Sequence, residues 1–222
     1  MTDTLKKLER DVVACGLCPR LVSWREGVAA NPRPSFVGET YWGRPIPGFG
    51  DPDPRILVVG LAPAAHGANR TGRMFTGDRS GDFLYSALHR AGLANQAEAT
   101  GADDGLALTG VRITAAVRCA PPANRPTPRE RANCRGYLVR EMSLCPNARV
   151  LIALGGIAWD AVLAVLGPIR PKPKFGHGTE VKVGSRTFLG SYHPSQQNTF
   201  TGRLKPYMMD DVLMRAKELA GL

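Results

Sequence analysis

The sequence predicts a single α/β domain whose central, mostly parallel sheet is flanked by helices. Apolar runs that suit buried strands alternate along the chain with helical segments, which is the pattern of an open α/β sheet. The 222 residues are enough for one sizeable core and few for two. The chain contains no internal repeat, low-complexity tract or linker, so we expect one domain over residues 1–222.

The first part of the chain predicts a helix, an irregular segment and a strand–helix pair. Residues 4–15 are amphipathic and end at Gly16, a common helix stop. Residues 31–54 contain six prolines and several glycines, and we expect them to wrap irregularly over the surface. The apolar run at 55–62 predicts a buried strand, and residues 81–92 predict a helix.

The second part continues the same alternation. A helix is expected to begin at Thr127, because Thr127 and Glu130 form a capping box around Pro128 at the first helical position. The other predicted elements are the strands VRITAAV (111–117), RVLIALG (149–155), TEVKV (179–183) and TFLGSY (187–192), and helices over 156–167 and 205–221.

The charge balance favours a polyanionic partner. The chain has 29 lysines and arginines against 19 acids, a net charge of +10. Such a surplus in one domain is typical of nucleic-acid binding, although a merely basic surface is the alternative. From Arg118 to Arg140 there are six arginines and one acid, Glu130.

Nothing in the sequence predicts export or membrane insertion. The opening MTDTLKKLERD has no apolar stretch of the kind that a signal peptide requires. No apolar run approaches the roughly 20 residues that cross a bilayer. We therefore expect a cytoplasmic, nucleoid-associated protein with no membrane partner, and a monomer.

Four of the five cysteines suggest a metal centre. Cys15 and Cys18 form a C-x-x-C pair, and Cys119 and Cys134 could complete a set of four thiolates. Zinc and an iron–sulfur cluster both accept such a set. The alternative is that Cys119 and Cys134 are ordinary buried residues. Cys145 is left over.

Two loops are placed to form a ligand site. In open α/β sheets the ligand lies outside the carboxyl ends of the strands. The glycine-rich loop GLAPAAHGANRTGRMFTGD (60–78) follows one predicted strand, and HPSQQNTFTGRL (193–204) follows another. We expect the sheet to bring them together over one cleft, with His193 either catalytic or structural.

Five segments in this order resemble the uracil-DNA glycosylase superfamily, and within it the iron–sulfur type called family 5, or UDGb. They are CGLCPRLVSWRE, YWGRPIPGFGDP, GLAPAAHGANRTGRMFTGD, RCAPPANRPTP with the following Cys134, and YHPSQQNTFTGRL. Together they span most of the chain. The resemblance implies a uracil-DNA glycosylase-like fold and a DNA repair enzyme.

The resemblance implies roles for residues of both loops. Phe75 would stack on a base flipped out of DNA, and main-chain groups of Ala62, Ala64 and Ala65 would bind the base or the attacking water. His193 would stabilise the departing base anion by a hydrogen bond to its O2. Asp78 would position water and offset positive charge on the sugar, or cap a helix.

The resemblance also implies a cofactor and a DNA interface. Cys15, Cys18, Cys119 and Cys134 would hold a 4Fe–4S cluster with a structural role. The partner would be DNA containing deaminated bases. The residues expected to contact it are Arg125 and Arg129, with the other arginines of 118–140, and Ser195, Gln197 and Asn198.

The chain departs from related family 4 glycosylases at two positions. Leu61 replaces an acid of the first motif, which is why Asp78 is the candidate catalytic acid. Ala115 replaces an asparagine that reads uracil, so we expect relaxed specificity that includes hypoxanthine. Asn124 either restores part of this base recognition or is a turn residue between Pro122 and Pro126.

The sequence therefore predicts a monofunctional glycosylase that hydrolyses the N-glycosidic bond and leaves an abasic site, since nothing points to a lysine nucleophile. Two other functions stay open at this point. One is a nucleic-acid-binding module without catalysis, and the other is a zinc-dependent hydrolase of nucleotides.

Overall fold

A computed structural model describes residues 2–222, and helices and strands alternate along them as predicted. The helices are α1 (Leu5–Val13), α2 (Pro19–Ala30), α3 (Ala68–Thr71), α4 (Arg79–Arg90), α5 (Pro128–Leu144), α6 (Gly156–Leu166), α7 (Gln196–Phe200) and α8 (Pro206–Ala220). The strands are β1 (Phe49–Gly50), β2 (Ile56–Gly60), β3 (Val111–Ala115), β4 (Val150–Leu154), β5 (Glu180–Val183) and β6 (Arg186–Ser191).

The strands join into one sheet in the order β1-β3-β2-β4-β6-β5. The inner strands β3, β2, β4 and β6 run parallel, whereas β1 and β5 pair antiparallel at the two edges. The register places Gly60 opposite Ala115 and Leu154 opposite Ser191. The prediction of a mostly parallel sheet is confirmed, and the parallel strands end at one common edge.

Each parallel strand divides its side chains between two cores. Ile56 and Val58 face the core that contains α4 and α8, and Leu57 and Val59 face the core that contains α5 and α6. Alternate side chains point to opposite faces of a strand, so a sheet covered on both faces needs continuous apolar strands. The buried Cys145 belongs to the second of these cores.

Local helix signals in the sequence correspond to the observed helix starts. Thr127 Oγ1 accepts a hydrogen bond from the Glu130 amide, and the Glu130 carboxylate accepts one from the Thr127 amide. The predicted capping box of α5 is therefore confirmed, with Pro128 at its first position. Helix α4 begins two residues before the predicted start, because Asp78 caps it.

Two parts of the N-terminal region differ from the prediction. Helix α2 has no counterpart among the predicted elements, although Pro19 at its first position is a known start signal. Residues 31–54 do not lie wholly on the surface, because Ile46 is fully buried and its amide donates to the Arg118 carbonyl at 2.7 Å. Among residues 2–222, no helix combines the length and hydrophobicity needed to cross a membrane.

A buried carboxylate joins several of these elements. Glu141 of α5 accepts hydrogen bonds from Arg112 Nε and Thr114 Oγ1, each at 2.7 Å, and pairs with Arg118. Burial alone would raise the pKa of Glu141, but the two adjacent guanidinium groups lower it below the ordinary value. Its carboxylate is therefore ionised and fully paired at neutral pH.

We expect Glu141→Gln to lower the free energy of unfolding at neutral pH by about 3–5 kcal/mol, since it leaves buried Arg118 without a counter-charge and removes the buried one of the two carboxylates that pair with Arg112. Folding lowers the pKa of Glu141, so its carboxylate stabilises the folded state fully at any pH above the pKa that it has in the unfolded chain. This stabilisation is lost as the pH falls through the pKa of Glu141 in the folded protein. The difference in the free energy of unfolding between wild type and variant should therefore become smaller at acid pH. Urea unfolding at several pH values measures it.

Glu9→Gln is the matched control for this change. Glu9 of α1 bonds the same Arg112 at 2.8 Å, but its side chain is partly exposed. An exposed pair contributes at most about 1 kcal/mol. If both variants lost the same free energy of unfolding, burial of the carboxylate would not decide how much each ion pair stabilises the protein.

Candidate active site

Phe75 lies on the carboxyl end of β2, inside the loop over residues 60–78. A Cβ added to Gly60 would lie 2.9 Å from the Phe75 ring, so only glycine at the strand end lets the ring rest there. Phe75 itself has φ 54°, an unfavourable backbone angle for a bulky residue. Such strain persists where the surroundings fix the conformation, and it is commonest at functional sites.

His193, which follows β6, meets Phe75 across this edge of the sheet. The two ring centroids are 5.8 Å apart with an interplanar angle of 33°. Asn198 holds the loop in place, because its amide donates to the His193 carbonyl at 2.8 Å. The two predicted loops therefore come together, as the topology of the sheet required.

The environment of His193 favours the neutral imidazole. Burial lowers the pKa of His193 to about 4, and no charged neighbour opposes that shift. A neutral imidazole at physiological pH can donate a hydrogen bond from one ring nitrogen without carrying a charge. Such a donor suits an oxygen on which negative charge develops during a reaction.

Asp78 is the N-cap of α4, so the alternative role foreseen for it is present. Its Oδ1 accepts from the amides of Ser80 and Gly81 at 2.9 and 3.1 Å. Its Oδ2 packs against Gly67, where an added Cβ would lie 2.1 Å away. Burial raises the pKa of Asp78, and the two amide hydrogen bonds partly oppose that rise. The cap fixes the orientation of the carboxylate.

The other residues of the loop differ in what they offer. The Ala64 carbonyl accepts from the amides of Gly67 and Asn69, so it serves the turn. Ala65 is half-buried, and Ala62 packs against the side chains around Cys119 and Cys134. The loop over 60–78 thus contacts the region of the cysteines.

Ala115 and Asn124 occupy different environments. Ala115 is 1 % exposed at the end of β3, in the core against which Phe75 also packs. Asn124 is exposed and has φ 55°, at the end of a short 3-10 turn over Pro122–Asn124. Asn124 is therefore a turn residue in this structure, and the structure places only Ala115 beside the strand end that carries Phe75.

The four cysteines singled out in the sequence line one small pocket, which we call the cysteine pocket. Cys15 follows α1, Cys18 directly precedes α2, Cys119 follows β3, and Cys134 lies on α5. The Asn133 amide contacts Cys18 Sγ at 3.3 Å. Segments more than 100 residues apart in the sequence therefore meet at these sulfur atoms.

Arg25 of α2 is a residue of this pocket that the sequence did not reveal. It is buried, and its Nη1 contacts Cys119 Sγ at 3.1 Å. Burial raises the pKa of the Cys119 thiol to about 11, while the Arg25 cation opposes that rise. Nothing in the local stretch SWREG distinguishes this arginine from a surface one.

Two buried arginines of the same pocket have nitrogen atoms without hydrogen-bond acceptors. Arg25 Nε and the Nε and Nη1 atoms of Arg118 are buried and have no hydrogen-bond partner within residues 2–222. Both side chains line the cysteine pocket. Buried N–H groups without acceptors are costly, so this pocket suits a group that accepts hydrogen bonds from cations, such as an anion. In the part of the chain that the structure describes, no three His, Cys, Asp or Glu side chains converge as a single metal ion would require.

The arginine-rich stretch is only partly available to a ligand, which corrects the expectation for its two ends. Arg118 is buried and pairs with Glu141. Arg140 pairs with Asp3 and Asp11, each at 2.8 Å. Their charges therefore stabilise the fold. The remaining arginines of the stretch are exposed or half-buried: Arg125, Arg129, Arg131 and Arg135.

Residues of the second loop lie beside His193. Ser195 is the N-cap residue of α7, and Gln197 is exposed on its first turn. Asn198 points inward to the His193 carbonyl, so its amide positions the loop.

Known proteins resemble this chain along nearly its whole length. The sequence model of the uracil DNA glycosylase superfamily matches residues 47–217. The type-5 uracil-DNA glycosylase of Mycobacterium tuberculosis is 58% identical over 95% of this chain and 80% of the relative. The type-5 enzyme of Mycobacterium leprae is 54% identical, covering 99% and 97% of the two chains. That of Thermus thermophilus is 56% identical, covering 95% and 96%.

Proposed function

This chain belongs to the uracil DNA glycosylase superfamily, and we propose that it hydrolyses the N-glycosidic bond of uracil in DNA and leaves an abasic site. The observation that carries the proposal is the pairing of Phe75 with His193 at the carboxyl edge of the sheet. Phe75 offers an aromatic ring on which a base can stack, and the neutral imidazole of His193 beside it can donate a hydrogen bond. The enzyme is a monofunctional hydrolase of N-glycosyl bonds.

The pair accounts for how a base is held and how it leaves. The glycosidic bond is out of reach inside the stack, so the nucleotide must first be flipped out. The base then stacks on Phe75 while neutral His193 donates to its O2. Bond cleavage moves negative charge onto the base, and a donor already in place stabilises that charge without reorganisation.

Asp78 serves the sugar side of the reaction. One oxygen is held by the start of α4, which leaves the other to orient a water molecule. The ionised carboxylate also offsets the positive charge that develops on the sugar. Water attacks the sugar carbon, the bond to the base breaks, and the proton of the water passes to the carboxylate.

The base range is set by what borders Phe75. Ala115 carries no hydrogen-bonding group, so the pocket lacks a side-chain amide at the end of β3. A site that does not depend on such a bond discriminates weakly among bases. We infer that hypoxanthine is removed as well as uracil, with recognition by main-chain groups of Ala62 and Ala65. Asn124 would contribute only if its turn moves.

The exposed basic side chains suit contact with the DNA backbone. Arg125 and Arg129 are exposed, and their side chains make no ion pair within residues 2–222. Ser195 and Gln197 follow His193 on the second loop and on the first turn of α7. Arginines and small polar groups of this kind neutralise or bond phosphate oxygens and fix the register of a protein on DNA.

The cysteine pocket fits a 4Fe–4S cluster held by Cys15, Cys18, Cys119 and Cys134. A cluster with four thiolate ligands is anionic, which matches the unpaired nitrogens of Arg25 and Arg118. Each thiolate of a cubane binds a different iron, so the sulfurs need not converge on one point. This favours a cluster over the zinc site of a nucleotide hydrolase. The cluster would supply a structural link between α2, β3 and α5.

We expect Asp78→Asn to lower the rate of uracil excision about 10²–10⁴-fold, since the variant loses the charge and the proton acceptor. Asn caps a helix about as well as Asp, so the stability should change little. Abasic sites in a labelled uracil duplex, cleaved with alkali, measure the rate. Asp82→Asn, an exposed acid in the first turn of the same helix, is the control and should keep the rate. A wild type that leaves uracil in place would overturn the proposed function.

The base range is tested on duplexes that carry uracil or hypoxanthine. The wild type should remove both, and Ala115→Asn should shift the ratio of rates toward uracil by at least about tenfold, because an amide rejects bases that cannot pair with it. Ala115→Val adds bulk without an amide and separates crowding from recognition. Hypoxanthine left wholly intact by the wild type would refute the relaxed range.

Protein purified without oxygen should be brown and contain about four irons and four sulfides per chain. Cys119→Ser and Cys134→Ser should lose the colour, measured by absorbance and by iron and sulfide analysis. Cys145→Ala, a change at a buried thiol outside the cysteine pocket, should retain it. Stoichiometric zinc without sulfide in fresh protein would contradict the cluster.

A further inference from the structure

Beside the candidate active site lies an open groove that none of the roles above uses. It runs between α2, the segment after α2 and the turn that begins at Pro122, and we call it the α2 groove. Its walls include Arg20, Trp24, Arg33 and His66. Its volume of about 590 Å³ lies within the range of pockets that hold small ligands.

Trp24 is the aromatic side chain of this groove. Its side chain is 39 % exposed, and its indole N–H donates no hydrogen bond within residues 2–222. The other two tryptophans are tied to the protein: Trp42 Nε1 donates to the Pro45 carbonyl and Trp159 Nε1 to the Pro173 carbonyl. Trp24 thus lines the groove with a partly exposed indole, and its N–H serves no contact within the described residues.

One side chain of the groove, Arg33, carries a positive charge that no acid of the described residues pairs with. Arg33 is exposed and makes no ion pair within the described residues. Arg20 is fixed by Glu130 at 2.7 Å, and its Nη2 also donates to the Arg125 carbonyl. None of the described residues that line the groove is acidic. Such a surface complements a phosphate backbone.

The groove is continuous with the proposed DNA interface. His66 belongs to the loop that carries Phe75, and the Tyr41 hydroxyl is 2.9 Å from His66 Nδ1, which fixes the ring at the groove wall. Pro122 on the opposite wall opens the turn that leads to Arg125. A strand whose flipped base rests on Phe75 can therefore continue past His66 into the groove.

We propose that the α2 groove binds a nucleotide of the lesion strand that flanks the flipped one, with its base stacked on Trp24 and its phosphate on Arg33. The inference rests on the proposed glycosylase function and adds a second base-binding position to it. Stacking on an aromatic side chain accepts any base, because every base has a π-face. The groove would therefore strengthen binding without narrowing the sequence context.

The test compares Trp24→Ala with Met214→Ala on a uracil-containing single strand and duplex. Met214 is an exposed apolar side chain of α8 and lies outside the groove, so it controls for the loss of exposed apolar surface. Trp24→Ala should raise Kd and KM about 5- to 100-fold with kcat retained, as expected for loss of one stacked base. Trp24→Phe should recover most of the affinity. Fluorescence anisotropy of a labelled strand and initial excision rates measure these quantities.

Trimming the strand locates the contact. Removing the whole flank on one side of the uracil, so that the uracil nucleotide is terminal, should abolish the difference between wild type and Trp24→Ala, whereas removing the flank on the other side should preserve it. Arg33→Ala should reduce the salt dependence of binding by about one phosphate contact.

Equal affinities of the two alanine variants, or a Trp24 effect that survives removal of either flank, would overturn the inference while leaving the glycosylase function intact. Absence of excision by the wild type would overturn the function instead.

Discussion

The ionised carboxylate of Glu141 is the constraint on which the arrangement of this protein depends. It is a buried anion on α5, and its partners are on β3 and just beyond it: Arg112, Thr114 and Arg118. Gly48 closes over it, since an added Cβ there would lie 2.0 Å from Glu141 Oε1. Sheet, helix and N-terminal segment are thus held at one point. Arg118 directly precedes Cys119, so the same ion network sets where that thiol lies.

Contacts from this centre reach the candidate active site through α2. The Asn69 amide donates to the Arg25 carbonyl at 3.1 Å, and Arg25 contacts Cys119. Asn69 lies on α3, within the loop that carries Phe75. Ala62 of that loop also packs against the cluster that contains Cys119 and Cys134. The cysteine pocket and the loop that carries Phe75 are therefore one packed unit, so the proposed cluster would support the proposed base-binding loop without taking part in the reaction.

Local patterns in the sequence predicted the elements that depend on local interactions. The apolar strands, the Thr127 capping box and the two loops at the carboxyl edge all follow from short stretches of residues. Helix α2 was missed because its polar and apolar side chains follow no clear helical periodicity. The burial of Ile46 and the inward roles of Arg118 and Arg140 depend on partners distant in the sequence, such as Glu141 and Asp3. The number of arginines in a stretch does not indicate which of them contact phosphate and which form ion pairs inside the protein.

Two independent requirements act on position 78. Helix α4 needs a short side chain whose oxygen reaches the amides of Ser80 and Gly81, a need that Asn, Ser or Thr would also meet. The proposed chemistry needs a negative charge, which Glu would supply on a chain too long for the cap. Only aspartate satisfies both demands. Any substitution at position 78 would therefore weaken either the start of α4 or the proposed activity. No other amino acid keeps both.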